Sequence, residues 1–398
     1  MLNVKKIRQL VEAKGADEAV RHLQTGLTEK VFKPDDFSLR DLAECLVVDR
    51  DGHAVGHEWI RALGPQKSGG LTLLESQASG IDLSRFSNIT GQIFYNRVME
   101  GYQQEEFMAA ALIDNTKTDL NGEKIPGVTG FTDDIDDNIH EGMPYPQIGF
   151  NEDYVETPAT TKKGRIVSVT KETLFFDRTK LVLAQAGKVG EVLMRRKEKR
   201  IWDMILGVTN TFKWRGTTYN TYQTATPWIN VKSGVDSGVT AFDWTKVDEV
   251  EQLFLNMLEP NTSEPIVLNA NQIVAMPVRR HIFGRVLNAT RHEVRTQSGV
   301  VISDAPNTMQ NYQLTFSKFM YRRLIASGVS ASDAAHWWFM GDFKGAFTWM
   351  ENWPLTVVQA PSNSEPEFTQ DIVLRWKASE RGAPAVIEPR KVVKVYNA

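Results

Sequence analysis

Between Lys180 and Leu206 the chain has no proline, and its apolar residues recur at helical spacing. Val182, Ala186, Val189 and Leu193 share one face, and Ile201, Met204 and Ile205 continue the stripe. At 1.5 Å per residue such a helix runs roughly 40 Å, so other segments must pack along it. Gly187 and Gly190 fall inside it, where each costs about 1 kcal/mol relative to alanine. They indicate a slight bend or the close approach of another segment, and Gly207 stops the helix.

The flanking sequence mixes both secondary-structure periods. Before the long helix, Ile7, Leu10, Val11, Val20 and Leu23 keep helical spacing. Ser38 caps a short helix over Leu39–Val47, and a longer helix is expected over Ser84–Ile113. Residues 119–146 are rich in Gly, Asp, Asn and Pro and read as loop. A hairpin is expected next, with arms at 147–156 and 165–170 and Lys162-Lys163-Gly164 at its tip. After the long helix, a hairpin over Thr209–Tyr222 and helices over Asp243–Leu258 and Val278–Leu287 are expected. Strands are expected at Tyr312–Phe316, Phe319–Ile325 and Ala334–Met340. The end of the chain returns to strands at Leu355–Gln359, around Ile372–Lys377, at Ala385–Ile387 and at Val392–Val395. The fold class is α+β.

Composition narrows the function classes. A chain of 398 residues suggests two or three domains. Its 46 basic and 49 acidic residues leave a net charge of −3, which excludes nucleic-acid coating by bulk basicity. The one cysteine, Cys45, excludes an intrachain disulfide and a cysteine zinc site. The longest apolar run, Phe107–Ile113, is far short of the ~20 residues of a membrane span. Met1–Arg21 lacks the apolar middle of a signal peptide, so an intracellular protein with no membrane partner is expected.

Catalytic motifs fail on spacing. His57-Glu58 opens a zinc-protease pattern, but Arg61 stands where the second histidine belongs. Gly187-Lys188 lacks the flanking residues of a phosphate loop. Asp134, Asp136 and Asn138 copy the start of a calcium loop, but Ile139 replaces its glycine and Tyr145 its glutamate. No cofactor, metal or catalytic residue is therefore expected. The remaining signal is the basic run Arg195-Arg196-Lys197-Glu198-Lys199-Arg200. It reads as a solvated helix face, a contact for nucleic-acid phosphates, or a contact for an acidic patch on a neighbouring copy.

The element order resembles that of the major capsid proteins of tailed double-stranded DNA phages, the Hong Kong 97 fold. The local likeness is best over Val169-Thr-Lys-Glu-Thr-Leu-Phe-Phe-Asp177, Val189-Gly190-Glu191 and Lys197-Glu198-Lys199-Arg200. It returns at Val373-Leu-Arg-Trp-Lys, Glu380-Arg381-Gly382 and Glu388-Pro389-Arg390. The resemblance implies an N-terminal helical arm over 1–140 and an extended-loop hairpin over 141–172. It further implies a peripheral domain with the spine helix over 173–214, an axial domain over 215–342, and the peripheral domain's last strands over 343–398.

The implied function is a shell subunit that assembles with itself into pentamers and hexamers of an icosahedral virion, built in the bacterial host cytoplasm. Portal and scaffolding functions, and packaged double-stranded DNA held without sequence specificity, are the implied partners. An encapsulin-type nanocompartment shell protein shares the fold and is the nearest alternative. A cytosolic metal-dependent enzyme with acidic ligands around Asp133–Asp137 is the alternative of a different class. An isolated two-stranded ribbon is marginal in water, so the hairpin is expected to lie on a neighbouring subunit. Glu152, Asp153, Lys162, Lys163 and Arg165 would set register there, and Arg195, Arg196 and Lys199 are the further interface candidates. In some members of this family a loop lysine is joined to a neighbour's asparagine, a pairing that Lys162 or Lys163 and Asn363 would provide here.

Overall fold

The computed structural model describes residues 16–29, 84–104, 107–127, 153–176, 181–209, 212–233, 244–259, 270–295, 301–307, 311–360 and 372–396, with isolated positions 9, 11, 13, 31, 42, 46, 141, 265, 266, 268 and 370. The chain forms two compact units, each assembled from three separate segments. The first holds residues 1–106, 162–196 and 353–381, and the second holds 107–161, 197–352 and 382–398.

In the first unit, helix Ser84–Tyr102 packs against the leading part of the long helix, which runs Leu181–Ile205. Gly190 marks a close approach, one of the two sequence alternatives, whereas a Cβ on Gly187 would meet only Arg97, at an ordinary 3.7 Å. A Cβ on Gly190 would stand 2.0 Å from the Val98 carbonyl oxygen, and one on Gly101 would stand 2.0 Å from that of Gly187. Only glycine lets the two backbones come this near. The sheet places strand Ile372–Val386 between Phe347–Gln359 and Thr161–Thr170. Val169, Leu355, Leu374, Trp376 and Ala378 point into the core of this unit. There Trp376 stacks on Phe94 with ring centroids 4.2 Å apart. Leu42 and Leu46, both helical and buried, join the same core.

The second unit is built on a five-stranded sheet. Its order is Gln313–Phe316, Gln272–Ala275, Trp338–Gly341, Val392–Tyr396 and Val231–Ser233. Alternate residues of the inner strands feed two cores, Ile273 and Ala275 into one and Val274 and Met276 into the other. Helices Trp244–Leu255 and Arg280–Asn288 contribute Val247, Val250, Phe283 and Val286 to the first of these. Helix Lys318–Ala326 contributes Met320 and Leu324 to the second. A smaller sheet has the order Lys124–Pro126, Tyr154–Glu156, Phe212–Trp214 and Thr217–Tyr219. The last two strands form the expected hairpin, turned by Arg215 and Gly216 at φ 50° and 78°. Positive φ at both central positions matches the right-handed twist of the flanking strands.

Four expectations need correction. Residues 154–156 and 161–170 do not form a hairpin. The first segment pairs with Lys124–Pro126 and Phe212–Trp214, the second with Ile372–Val386, a strand long enough to satisfy ten residues of ladder. Lys162 and Lys163 therefore lie within a strand instead of at a tip. Phe319–Ile325 is helical: Ser317 caps it by accepting from the Phe319 N–H, and Met320 and Leu324 are buried at i, i+4. Density of aromatic and β-branched residues had imitated a strand. Likewise Ala331–His336 is a helix capped by Ser330, and the strand begins only at Trp338. Finally, the expected helix over Ser84–Ile113 is two helices, Ser84–Tyr102 and Ala109–Leu112. A buried carboxylate at the start of the second supplies the reason given below.

Candidate functional site

Strand Thr161–Thr170 carries most of the predicted interface residues. Its first six residues are all exposed, so both faces meet solvent until Val169 enters the core. Among the described residues it is the outermost strand of its sheet, and one row of its backbone groups is unpaired there. Lys163 and Arg165 stand exposed on it, and Ile166 is 54% exposed. Lysines on an edge oppose unselective pairing, while an apolar residue among them gives a partner something to bury. Lys162 Nζ lies 5.9 Å from the Trp353 ring centroid, and the Arg381 guanidinium lies 5.4 Å from the same ring. Gly164 lets the strand lie close to its neighbour, since a Cβ there would be 2.8 Å from the Ala378 carbonyl oxygen.

The second candidate, the basic run at 195–200, is divided between surface and interior. Arg195, Arg196 and Lys199 are exposed, and Arg195 donates to Glu191 one turn earlier. Lys197 and Arg200 instead lie over the Trp349 ring at 4.6 and 5.2 Å from its centroid, and Arg200 donates to the Gly382 carbonyl. Between them Glu198 is fully buried. Its carboxylate accepts from the N–H groups of Met108 and Ala109 at 3.1 and 3.0 Å and from Trp202 Nε1 at 2.8 Å. It thus does for helix Ala109–Leu112 what a capping side chain does, because no residue of that helix's own N-cap supplies a bond. Burial pushes the Glu198 carboxyl above its ordinary range, and these hydrogen bonds pull it part of the way back.

Asp153 is a correction. It is not a surface charge, for its side chain is 2% exposed. Its Oδ1 accepts from Trp214 Nε1 at 2.6 Å and from Arg215 Nε at 3.0 Å, so its charge holds the turn after Trp214. Glu152, Asn363 and the calcium-like Asp134, Asp136 and Asn138 lie outside the described residues.

Other internal charges escaped the sequence reading. Asp203 accepts both bonds of the Arg323 fork at 2.6 and 2.7 Å, which ties the long helix to helix Lys318–Ala326 within the second unit. Arg390 and Glu388 form a bidentate pair with both side chains buried. Lys394 Nζ sits in an aromatic box, 3.6 Å from the Trp337 centroid and 5.2 Å from that of Tyr396. Burial pushes its ammonium down to about 8. No short-range sequence pattern could have found the Asp203–Arg323 pair, since 120 residues separate its partners. Among the described residues, no group of three or more His, Cys, Asp or Glu side chains is arranged to hold a metal ion. No helix there is long and apolar enough to cross a membrane.

A family model described as phage capsid protein matches residues 154–395. No curated protein sequence matches the chain. Among solved structures, the capsid asymmetric unit of cyanophage Pam1 is similar at 11% identity and a TM-score of 0.46, over 75% of this chain and 93% of that one. The capsid of a native GTA particle is similar at 12% identity and 0.44, over 73% and 90%. A Mycobacterium phage Cain chain is similar at 9% identity and 0.42, over 74% and 91%.

Proposed function

The chain belongs to the phage capsid protein family, and from that premise we propose that it is the major shell subunit of a tailed phage or prophage, assembling into pentamers and hexamers around double-stranded DNA. The observation that carries this reading is the extent of the family match, 154–395. That span takes in the exposed edge strand, the long helix and the five-stranded sheet together. It favours the phage shell over the encapsulin-type compartment, and a structural role over the metal-dependent enzyme.

The physics of the surface supports self-assembly. Strand Thr161–Thr170 offers unpaired backbone and an exposed Ile166 among cations, a surface whose apolar part gains by being covered. A neighbouring subunit with acidic groups would cover it and fix its register. Arg196 and Lys199 are exposed to meet either a neighbour or DNA phosphates, Arg195 is exposed but paired with Glu191, and Lys197 and Arg200 rest on Trp349. A net charge of −3 limits repulsion between many copies packed side by side. In this reading the shell's peripheral and axial parts follow the boundaries the resemblance implies, with portal and scaffolding functions supplied by other proteins.

Expression of the full chain followed by electron microscopy and sedimentation tests the proposal. Megadalton closed shells support it. A species that stays near the 44.9 kDa chain mass under all assembly conditions rejects it.

A further inference from the structure

Lys394 differs from the paired internal cations Arg323 and Arg390. Among the described residues its ammonium has neither a carboxylate partner nor a hydrogen-bond acceptor. Its surroundings are rings. Phe339 lies directly across the sheet from it and Tyr396 two positions along its own strand, so all three project from one face. Trp337 and Tyr222 close the sides, with Nζ 3.6 and 5.7 Å from their centroids. The rings also pack on one another, Trp337 on Tyr396 at 6.0 Å and Tyr222 on Phe339 at 5.6 Å between centroids. The strand is fixed at this point, since the Lys394 N–H donates to the Asn230 carbonyl at 2.9 Å. Lys394 as a whole is half-buried, which leaves its amine a way to solvent. All five residues belong to the second unit, so the cluster is complete within one chain.

A primary amine held in this way is set up as a nucleophile. Apolar surroundings disfavour its charged form, and a value of about 8 leaves about a quarter of it as neutral amine at pH 7.5. An ordinary surface lysine near ~10.4 leaves only about one part in a thousand. The ring faces attract a cation and also stack on flat groups. A product that keeps the positive charge and adds a flat surface therefore suits the box better than one that discards the charge.

We propose that Lys394 is a covalent-modification site for small aromatic aldehydes, held as a protonated imine among Trp337, Tyr222 and Tyr396. The amine nitrogen attacks the carbonyl carbon and a C–N bond forms. The carbonyl oxygen leaves as water and one proton is taken up, so the nitrogen ends in a planar cation. An acyl donor would instead leave a neutral amide and forfeit the contact between cation and rings.

The test mixes the full chain at pH 7.5 with less than one equivalent of benzaldehyde and traps the imine with cyanoborohydride. Peptide mass mapping should find benzylation of Lys394 about tenfold above that of exposed lysines such as Lys163 and Lys199. Propanal, which has no ring to stack, should lose most of that preference. Lys394→Arg should abolish the labelled position and leave labelling elsewhere unchanged. Benzylation spread over the exposed lysines with Lys394 spared overturns the proposal and leaves Lys394 a packing cation only. Equal preference for propanal overturns the role given to the rings. The map of the unaltered chain decides by itself should Lys394→Arg fail to fold.

Discussion

Two runs of cations serve opposite purposes in this molecule. On strand Thr161–Thr170, Lys163 and Arg165 stand in water on one face of an edge strand. On helix Leu181–Ile205 the run is split by Glu198, which is withdrawn fully into the second unit, while Lys197 and Arg200 lie on Trp349. A strand that runs past its core leaves most of its side chains exposed. A helix over a core turns every third or fourth residue inward. The first run is thus available to a partner, and in the second Lys197 and Arg200 are committed to holding their own chain together. The two stretches should therefore respond very differently to mutation.

The largest effect is expected at Glu198. Glu198→Ala leaves two backbone N–H groups and the Trp202 indole N–H without an acceptor in a dry site. The loss should be about 3 kcal/mol in urea unfolding of the unassembled chain. Glu198→Gln keeps one acceptor oxygen and should lose about half of that. Because burial raises this carboxyl in the folded chain, the folded state holds the proton more tightly than the unfolded one. Its contribution is therefore greatest below the ordinary glutamate range and declines as pH rises through the raised value. Glu198→Gln should remove that slope. An unchanged slope would mean that the carboxylate is not buried as described.

Glycines supply the next contrast. Gly190→Ala adds a Cβ where the Val98 carbonyl already stands, and should cost about 2 kcal/mol despite alanine's better helix propensity. Gly284, in helix Arg280–Asn288, has nothing within 4 Å of its would-be Cβ. Gly284→Ala should gain about 0.5–1 kcal/mol from propensity alone. Thermal melting separates the two at once. Equal shifts would break the assignment of Gly190 to a helix crossing.

These residues also show how much of the molecule the sequence discloses. The long helix was legible from its proline-free periodic stripe, and the hairpin at Phe212–Tyr219 from the Thr, Tyr and Trp content of Thr209–Tyr222. Gly187 and Gly190 were legible as anomalies, but not the helix that approaches them, because a close approach involves a segment some 90 residues away. The exposure of Lys163 and Arg165 followed from their polar surroundings. The burial of Asp153 and Glu198 did not, since a carboxylate reads as surface until its donors are known. For Asp153 those donors, Trp214 and Arg215, come from a different part of the chain. The failed hairpin has the same origin: alternation shows that 165–170 is a strand but not which strand it joins.

Lys394 gives a smaller effect that sharpens the contrast between buried and exposed charge. Its folded value of about 8 lies below the ordinary lysine value near ~10.4. The unfolded chain therefore binds the proton more readily, and stability should rise as pH climbs from about 8 toward ~10.4. The aromatic box favours the ammonium and offsets part of the burial cost. Lys394→Met should flatten this rise. Denaturant midpoints across that window check the sign.

The smallest expected effect on stability belongs to the exposed strand, and there the smallness is informative. Replacing Lys162, Lys163 and Arg165 together by glutamate touches no buried group. The unfolding free energy of the unassembled chain should stay within about 0.5 kcal/mol. The only packing lost is that of Lys162 over Trp353, a surface contact. Assembly should nevertheless fail or slow sharply, because the strand would present three acids to acidic groups on its neighbour. Light scattering of assembly, run beside urea unfolding, makes the distinction. A variant that unfolds early would show that these cations support the chain's own fold, as Lys197 and Arg200 do. A variant that is stable and assembles normally would remove the strand from the shell contact.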